Sequence, residues 1–218
     1  MALPQKRFEL RYTEEHYLKI ERDSDERHEY IDGEIYLMSG ESDEHGDIST
    51  NLVGELHSQL KGTPRRAKTK DTKVRSGPMP FRRKGRKGLY SYPDVVVICG
   101  KAQFLDEYKD VVVNPTVIIE VLSPTTEVYD RKEKFLRYQK WCPTLKDYIL
   151  VSQDTPMVEH YIRNESEDWT YKVYSGLESN FTIESINCKL NLTDVYDRVE
   201  FLPDIEEEIE DEETQTEN

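Results

Sequence analysis

The chain has 218 residues, 36% apolar and 34% charged, which is enough for one domain with a modest core. No apolar run approaches the roughly 18 residues of a membrane span, and Met1 to Phe8 lacks the apolar stretch of a secretory signal, so no membrane association and a cytoplasmic location are expected. Three cysteines without metal or disulfide spacing agree with a reducing compartment, and a net charge of −14, taken as an average, argues against a polyanionic partner.

The first predicted element is a short helix over Thr13 to Glu21. Two alternating runs then flank Asp32-Gly33, a dipeptide that favours the tight turn of a β-hairpin. Residues Asp47 to Leu60 carry Ile48, Leu52, Val53, Leu56 and Leu60 at helical spacing, and Gly62 and Pro64 end that helix. Lys68 to Ser76 alternates and reads as one strand, and Pro78 to Gly88 reads as a basic loop. Tyr92 to Cys99 and Thr116 to Leu122 are rich in aliphatic residues, the pattern of strands buried on both faces. A helix over Tyr129 to Trp141, closed by Pro143, precedes strands over Asp147 to Ser152, Met157 to Arg163, Thr170 to Tyr174 and Phe181 to Ile183. A short helix over Leu192 to Tyr196 follows. This order predicts an α/β (α+β) fold, a mixed sheet covered by helices on each side. Residues 1–203 read as one domain, and 204–218 as an acidic tail too polar to order.

Glu120 is the most informative residue, a carboxylate among Thr, Val, Ile, Val and Leu. Burying it costs several kcal/mol unless it is paired, neutralised or bound to a cation. Asp94 similarly opens an aliphatic run after Pro93. Two successive strands with one acid each can bring both to one hard cation such as Mg²⁺. The alternatives are a Glu120 paired with an arginine and an Asp94 that caps a turn. In the following helix Asp130, Lys134, Tyr138 and Trp141 share a stripe, whereas Lys132 faces the opposite side. Lys134 is thus placed to lean toward the sheet, where it could orient a water or neutralise phosphate charge. Alternatively it snorkels at the helix edge.

The averaged charge hides two blocks. Residues 61–87 hold twelve Lys and Arg against Asp71 alone, and 204–218 hold nine acids and no base. Lys68, Lys70, Lys73 and Arg75 alternate along the predicted strand, and Arg82, Arg83, Lys84, Arg86 and Lys87 crowd the following loop. Such a run is either a solvated face or a surface that neutralises DNA phosphates.

Together, Pro93-Asp94, Glu120 within Ile118-Ile119-Glu120-Val121-Leu122-Ser123-Pro124, and Asp130, Lys134 and Tyr138 resemble the Uma-two (Uma2) family of restriction-endonuclease-like proteins. Glu29-Tyr30-Ile31-Asp32-Gly33-Glu34 and His45 are similar to the N-terminal half of that family, so the resemblance runs from about residue 10 to 175. It places the chain in the PD-(D/E)XK nuclease superfamily. It implies a restriction-endonuclease-like core in the order helix, three strands, helix, strand, with an N-terminal hairpin extension. It also implies that Asp94 and Glu120 are catalytic and ligate Mg²⁺ or Mn²⁺. The superfamily carries a lysine two residues after the glutamate, where this chain has Leu122. The resemblance suggests that Lys134 takes that catalytic role from the helix. His45, read as preceding the first long helix, is a further candidate near the metal or else a surface cap; Glu29 and Asp130 are further candidates too. The expected activity is metal-dependent endonucleolytic hydrolysis of DNA, with a homodimer as one arrangement for cutting a duplex. The competing reading is a non-catalytic DNA-binding or interaction module on the same fold.

Overall fold

The structure is a computed structural model that describes residues 11–38, 40–81 and 84–201. The acidic tail and the basic-loop residues Arg82 and Arg83 lie outside the described residues. Helix α1 (Glu14–Asp23) is capped by Thr13, whose hydroxyl accepts from the His16 N–H. It leads into the hairpin of β1 (His28–Ile31) and β2 (Glu34–Leu37). Asp32 and Gly33 both adopt positive φ there, as a two-residue hairpin turn requires. Helix α2 (Asp43–Leu60) starts four residues before the apolar spacing indicates, because Ser42 caps it and Asp43 and Glu44 suit its first turn. Next come β3 (Arg65–Thr69), β4 (Lys73–Ser76), β5 (Leu89–Ser91), β6 (Val95–Cys99), β7 (Val111–Val112) and β8 (Val117–Leu122). A helical segment then comprises α3 (Glu127–Tyr129), a π-helical turn over Asp130–Lys134, and α4 (Phe135–Trp141). The remaining elements are β9 (Asp147–Ser152), β10 (Met157–Arg163), β11 (Trp169–Ser175), β12 (Asn180–Ile183), β13 (Cys188–Asn191) and α5 (Leu192–Val195).

The fold is the expected mixed sheet flanked by helices. Six strands run in the order β11-β10-β9-β8-β6-β3, with β8 and β9 parallel and the other neighbours antiparallel. On one face Ile48, Leu52 and Leu56 of α2 pack with Val95, Val97, Ile119 and Ile149. On the other, Val96, Ile98, Ile118 and Leu150 pack with Phe135 and Tyr138 of α4 and with Val74 and Leu89 of a second sheet. That sheet has the order β2-β1-β5-β4-β7. Double coverage explains why β6, β8 and β9 are mostly apolar, with Glu120 the exception inside β8. No helix among the described residues is long and apolar enough to cross a membrane.

The structure corrects two predicted strands. Lys68 to Ser76 is not continuous: the chain turns at Lys70 and Asp71, where the Thr72 N–H donates to the Thr69 carbonyl at 2.9 Å. β3 edges the large sheet while β4 belongs to the second one. Tyr92 to Cys99 is likewise broken. Ser91 ends β5 in one sheet, and Tyr92-Pro93-Asp94 carries the chain across to β6 in the other. A proline suits that break, since it offers no ladder donor.

The first correction removes two residues from the predicted DNA surface, because Lys73 and Arg75 are buried in β4. Arg75 Nε donates to Glu14 Oε2 at 2.7 Å, and the Tyr90 hydroxyl donates to the same oxygen at 2.8 Å. Lys73 Nζ lies 3.6 Å from Asp110 Oδ2, over the rings of Tyr17 and Tyr92, and burial lowers its pKa. Both residues tie β4 to the interior. Arg75→Ala, which leaves Glu14 buried without its cationic partner, is expected to destabilise the protein by about 3–5 kcal/mol in urea unfolding. Lys68→Ala, on an exposed position, should shift it by no more than about 0.5 kcal/mol. Equal effects would contradict the burial assigned to Arg75.

Candidate active site

Asp94 and Glu120 occupy opposed positions on neighbouring segments of the large sheet. Val95 pairs with Ile119 across β6 and β8, so Asp94, one step before β6, stands across from Glu120. Positions directly opposed in an antiparallel pair point to the same side. Asp94 is fixed through both oxygens. Oδ2 accepts the Val121 N–H at 2.7 Å, and Oδ1 lies 2.8 Å from His45 Nε2. His45 does not precede its helix but sits inside the first turn of α2, where its own N–H donates to Ser42 Oγ.

Lys134 reaches the pair from the helix. Its Nζ is 2.9 Å from Glu120 Oε1, 3.2 Å from Asp130 Oδ1 and 3.7 Å from Glu29 Oε1. The π-helical turn over Asp130–Lys134 buries both of its end residues side by side. Such wide turns interrupt α-helices at a local cost and often mark functional positions. The Tyr148 hydroxyl from β9 donates to the Asp130 carbonyl at 3.0 Å and anchors this turn to the sheet. Glu29, on β1, also accepts the Tyr92 N–H at 3.4 Å. The hairpin, the crossing segment, β8 and the π turn thus meet at one point.

The electrostatics follow from burial. Loss of water pushes the Glu120 carboxyl well above the usual carboxylate range; Lys134 opposes this, while Asp130 and Asp94 add to it. Burial alone would lower the Lys134 amine, but Asp130, Glu120 and Glu29 outweigh it and raise the amine well above its ordinary value. Lys134 is therefore a held positive charge. For His45, burial opposes protonation, yet the hydrogen bond and charge of Asp94 leave its pKa raised.

Glu29, His45, Asp94, Glu120, Asp130 and Lys134 all line one cleft of about 1250 Å³. Eight buried side-chain oxygen or nitrogen atoms among the described residues lack a hydrogen-bond partner. Four of them, Glu120 Oε1, Asp130 Oδ1, Tyr129 Oη and Gln153 Oε1, belong to residues of this cleft. Lys134 is within ion-pair reach of the two carboxylate oxygens without hydrogen-bond geometry. Carboxylate oxygens beside an imidazole, as at Asp94 and His45, suit a divalent cation, which takes carboxylate oxygens and, for several metals, histidine nitrogen. A cluster of ligand atoms from Glu41, His45 and Asp94, all within 4.8 Å of one another, lies in the same cleft. Glu41 escapes the sequence reading because its partner His45 is visible one turn away only once the helix start is placed at Ser42.

The basic residues are less concentrated. Lys70 lines the cleft but is ion-paired with Glu41. Lys68, Lys84, Arg86 and Lys87 are exposed, with Lys87 Nζ 5.7 Å from the centre of the Trp141 ring. Trp141 is half-buried at the end of the stripe that Asp130, Lys134 and Tyr138 bury.

A mixed sheet presenting an acid pair from neighbouring strands, with a lysine from the following helix, has the architecture of restriction-endonuclease-like proteins. A crystal structure from Anabaena variabilis, described as a "putative nuclease belonging to DUF820", shares this fold with a TM-score of 0.65 at 19% identity, over 84% of this chain and 97% of that one. The family model of Uma2, described as "Putative restriction endonuclease", matches residues 14–193, and the chain belongs to the Uma2 family. Among its relatives is an uncharacterized protein of Synechocystis sp., 32% identical over 84% of this chain and 90% of the relative. A second protein of the same organism is 31% identical over 72% of this chain and 84% of its own length.

Proposed function

We propose that the chain is a DNA endonuclease that hydrolyses phosphodiester bonds with Mg²⁺ or Mn²⁺ held by Asp94 and Glu120. The observation that carries this reading is the opposed pair of buried carboxylates, open to a cleft, with Glu120 Oε1 held only by the Lys134 ammonium. When bound, such an ion supplies positive charge at the phosphate and a more acidic water. The side chains around it do the positioning. His45 and the Val121 N–H hold Asp94 in one orientation. Lys134 stays protonated, so it stabilises negative charge, and it is not the base. Asp130 and Glu29 keep its ammonium beside Glu120. Leu122, where the superfamily places its lysine, is buried in the core against the α4 side.

Lys68, Lys84, Arg86 and Lys87 are the proposed phosphate contacts, together with Arg82 and Arg83. Neutralising any one that touches a phosphate is expected to reduce the slope of log affinity against log salt by about 0.9 for duplex DNA. An unchanged slope across all of them would remove this surface from the account. The site is proposed to work in the cytoplasm, with two copies needed for simultaneous cuts in both strands.

Nicking of supercoiled plasmid is expected with Mg²⁺ or Mn²⁺ and none with chelator. Burial of Leu122 favours one second reading, a DNA-binding module without catalysis. Retention of DNA with no cutting under any divalent ion would select it.

A further inference from the structure

Glu41 stands between the His45–Asp94 pair and the basic turn that carries Lys70. Its Oε2 lies 3.9 Å from His45 Nε2, which in turn lies 2.8 Å from Asp94 Oδ1. Ligands bonded at about 2.1 Å stand about 3 Å apart at neighbouring octahedral vertices. The His45 and Asp94 atoms already have that spacing, and Glu41 needs a shift of about one ångström to join them. The other Glu41 oxygen, Oε1, is ion-paired with the Lys70 ammonium, on the turn between β3 and β4. Both side chains are about one-third exposed, at 31% and 37%, so neither is locked by packing. In the same cleft two further buried oxygens, Tyr129 Oη and Gln153 Oε1, lack a hydrogen-bond partner, whereas Glu120 Oε1 and Asp130 Oδ1 face the Lys134 ammonium.

We infer that Glu41 is a further ligand of the cation held at Asp94, and that Lys70 competes with that cation for Glu41. Ion binding then draws Glu41 from Lys70 and frees the lysine for a DNA phosphate. The inference rests on the ion site proposed above. It makes ion and DNA binding mutually reinforcing, because the ion satisfies the carboxylate that otherwise neutralises Lys70. Deeper in the cleft another ammonium, that of Lys134, likewise sits against carboxylates, those of Glu120 and Asp130.

The test is calorimetric titration of Mn²⁺ into the full chain and into Asp94→Asn, Glu41→Gln and Lys70→Met, with thermal melts to verify folding. Duplex binding is measured beside it, with and without Ca²⁺. Asp94→Asn is expected to abolish ion binding. Glu41→Gln should weaken it by about tenfold or more, and Lys70→Met should tighten it. Ca²⁺ should strengthen duplex binding by the wild type but not by Lys70→Met. If Asp94→Asn loses the ion while Glu41→Gln and Lys70→Met bind it like the wild type, the coupling is overturned and the Asp94 site stands. Failure of the wild type to bind Mn²⁺ overturns both. Should Glu41→Gln not fold, unchanged affinity in Lys70→Met is sufficient to overturn the coupling.

Discussion

Replacing either Asp94 or Glu120 by alanine is expected to cut the nicking rate by about 10³-fold or more, because the ion that would supply positive charge at the phosphate is no longer held. The fold should survive both changes. Asp94 sits in the crossing between two sheets, and its loss forfeits two hydrogen bonds to a carboxylate, from the Val121 N–H and with His45, at about 1.5–3 kcal/mol each. Glu120→Ala removes a buried negative charge, but Lys134 keeps Asp130 at 3.2 Å and Glu29 at 3.7 Å. Initial rates on supercoiled plasmid, measured on variants with native melting curves, separate lost chemistry from lost structure. Retained cutting by both variants would place the chemistry elsewhere.

Lys134→Met is expected to lose both catalysis and stability. It strips Glu120 and Asp130 of their shared counter-charge in a site where the two side chains are 5% and 4% exposed. Breaking a buried pair from one side costs about 3–5 kcal/mol. The cost should depend on pH in a definite sense. Burial already raises the Glu120 pKa in the presence of Lys134, and without the lysine the folded state holds its proton more tightly still. The folded variant then binds more protons than the unfolded chain, so its stability falls as pH rises above the unfolded carboxylate range and recovers as pH drops. Mn²⁺ should restore part of the loss at neutral pH, because a ligand that binds only the folded state stabilises it. Urea unfolding at two pH values, with and without Mn²⁺, reads all three effects. A variant as stable as the wild type in chelator would show that the Lys134 cluster does not join helix to sheet.

The parts of this site that the sequence reveals are those set against a uniform background. Glu120 stands out because every neighbour in β8 is apolar, and a buried acid needs a partner. Lys134 is identified by helical spacing, and the π turn preserves the inward direction of Asp130, Lys134 and Tyr138 despite departing from α-helical geometry. Glu41 has no such contrast. It lies in Glu41-Ser42-Asp43-Glu44-His45, which reads as a solvated helix start, and the apolar periodicity begins only at Ile48. Lys73 and Arg75 show the converse failure. A basic residue in an alternating run looks the same whether it meets DNA or a buried acid, and Glu14 is 61 positions from Arg75. The exchange of strands between sheets at Lys70-Asp71 is equally hidden, since that turn contains neither glycine nor proline, whereas Pro93 marks the one at Tyr92-Asp94. Local sequence thus specifies which residues are anomalous, while long-range pairing decides whether an anomaly serves a site or the core.

The most direct measurement of the central claim is the anomalous difference density of a crystal grown or soaked with Mn²⁺. The account predicts a peak within bonding reach, about 2.2 Å, of an oxygen of Asp94 and an oxygen of Glu120, with the Lys134 ammonium beside it. A peak away from both carboxylates, or no peak in a crystal where Glu120 remains paired with Lys134 alone, would contradict it.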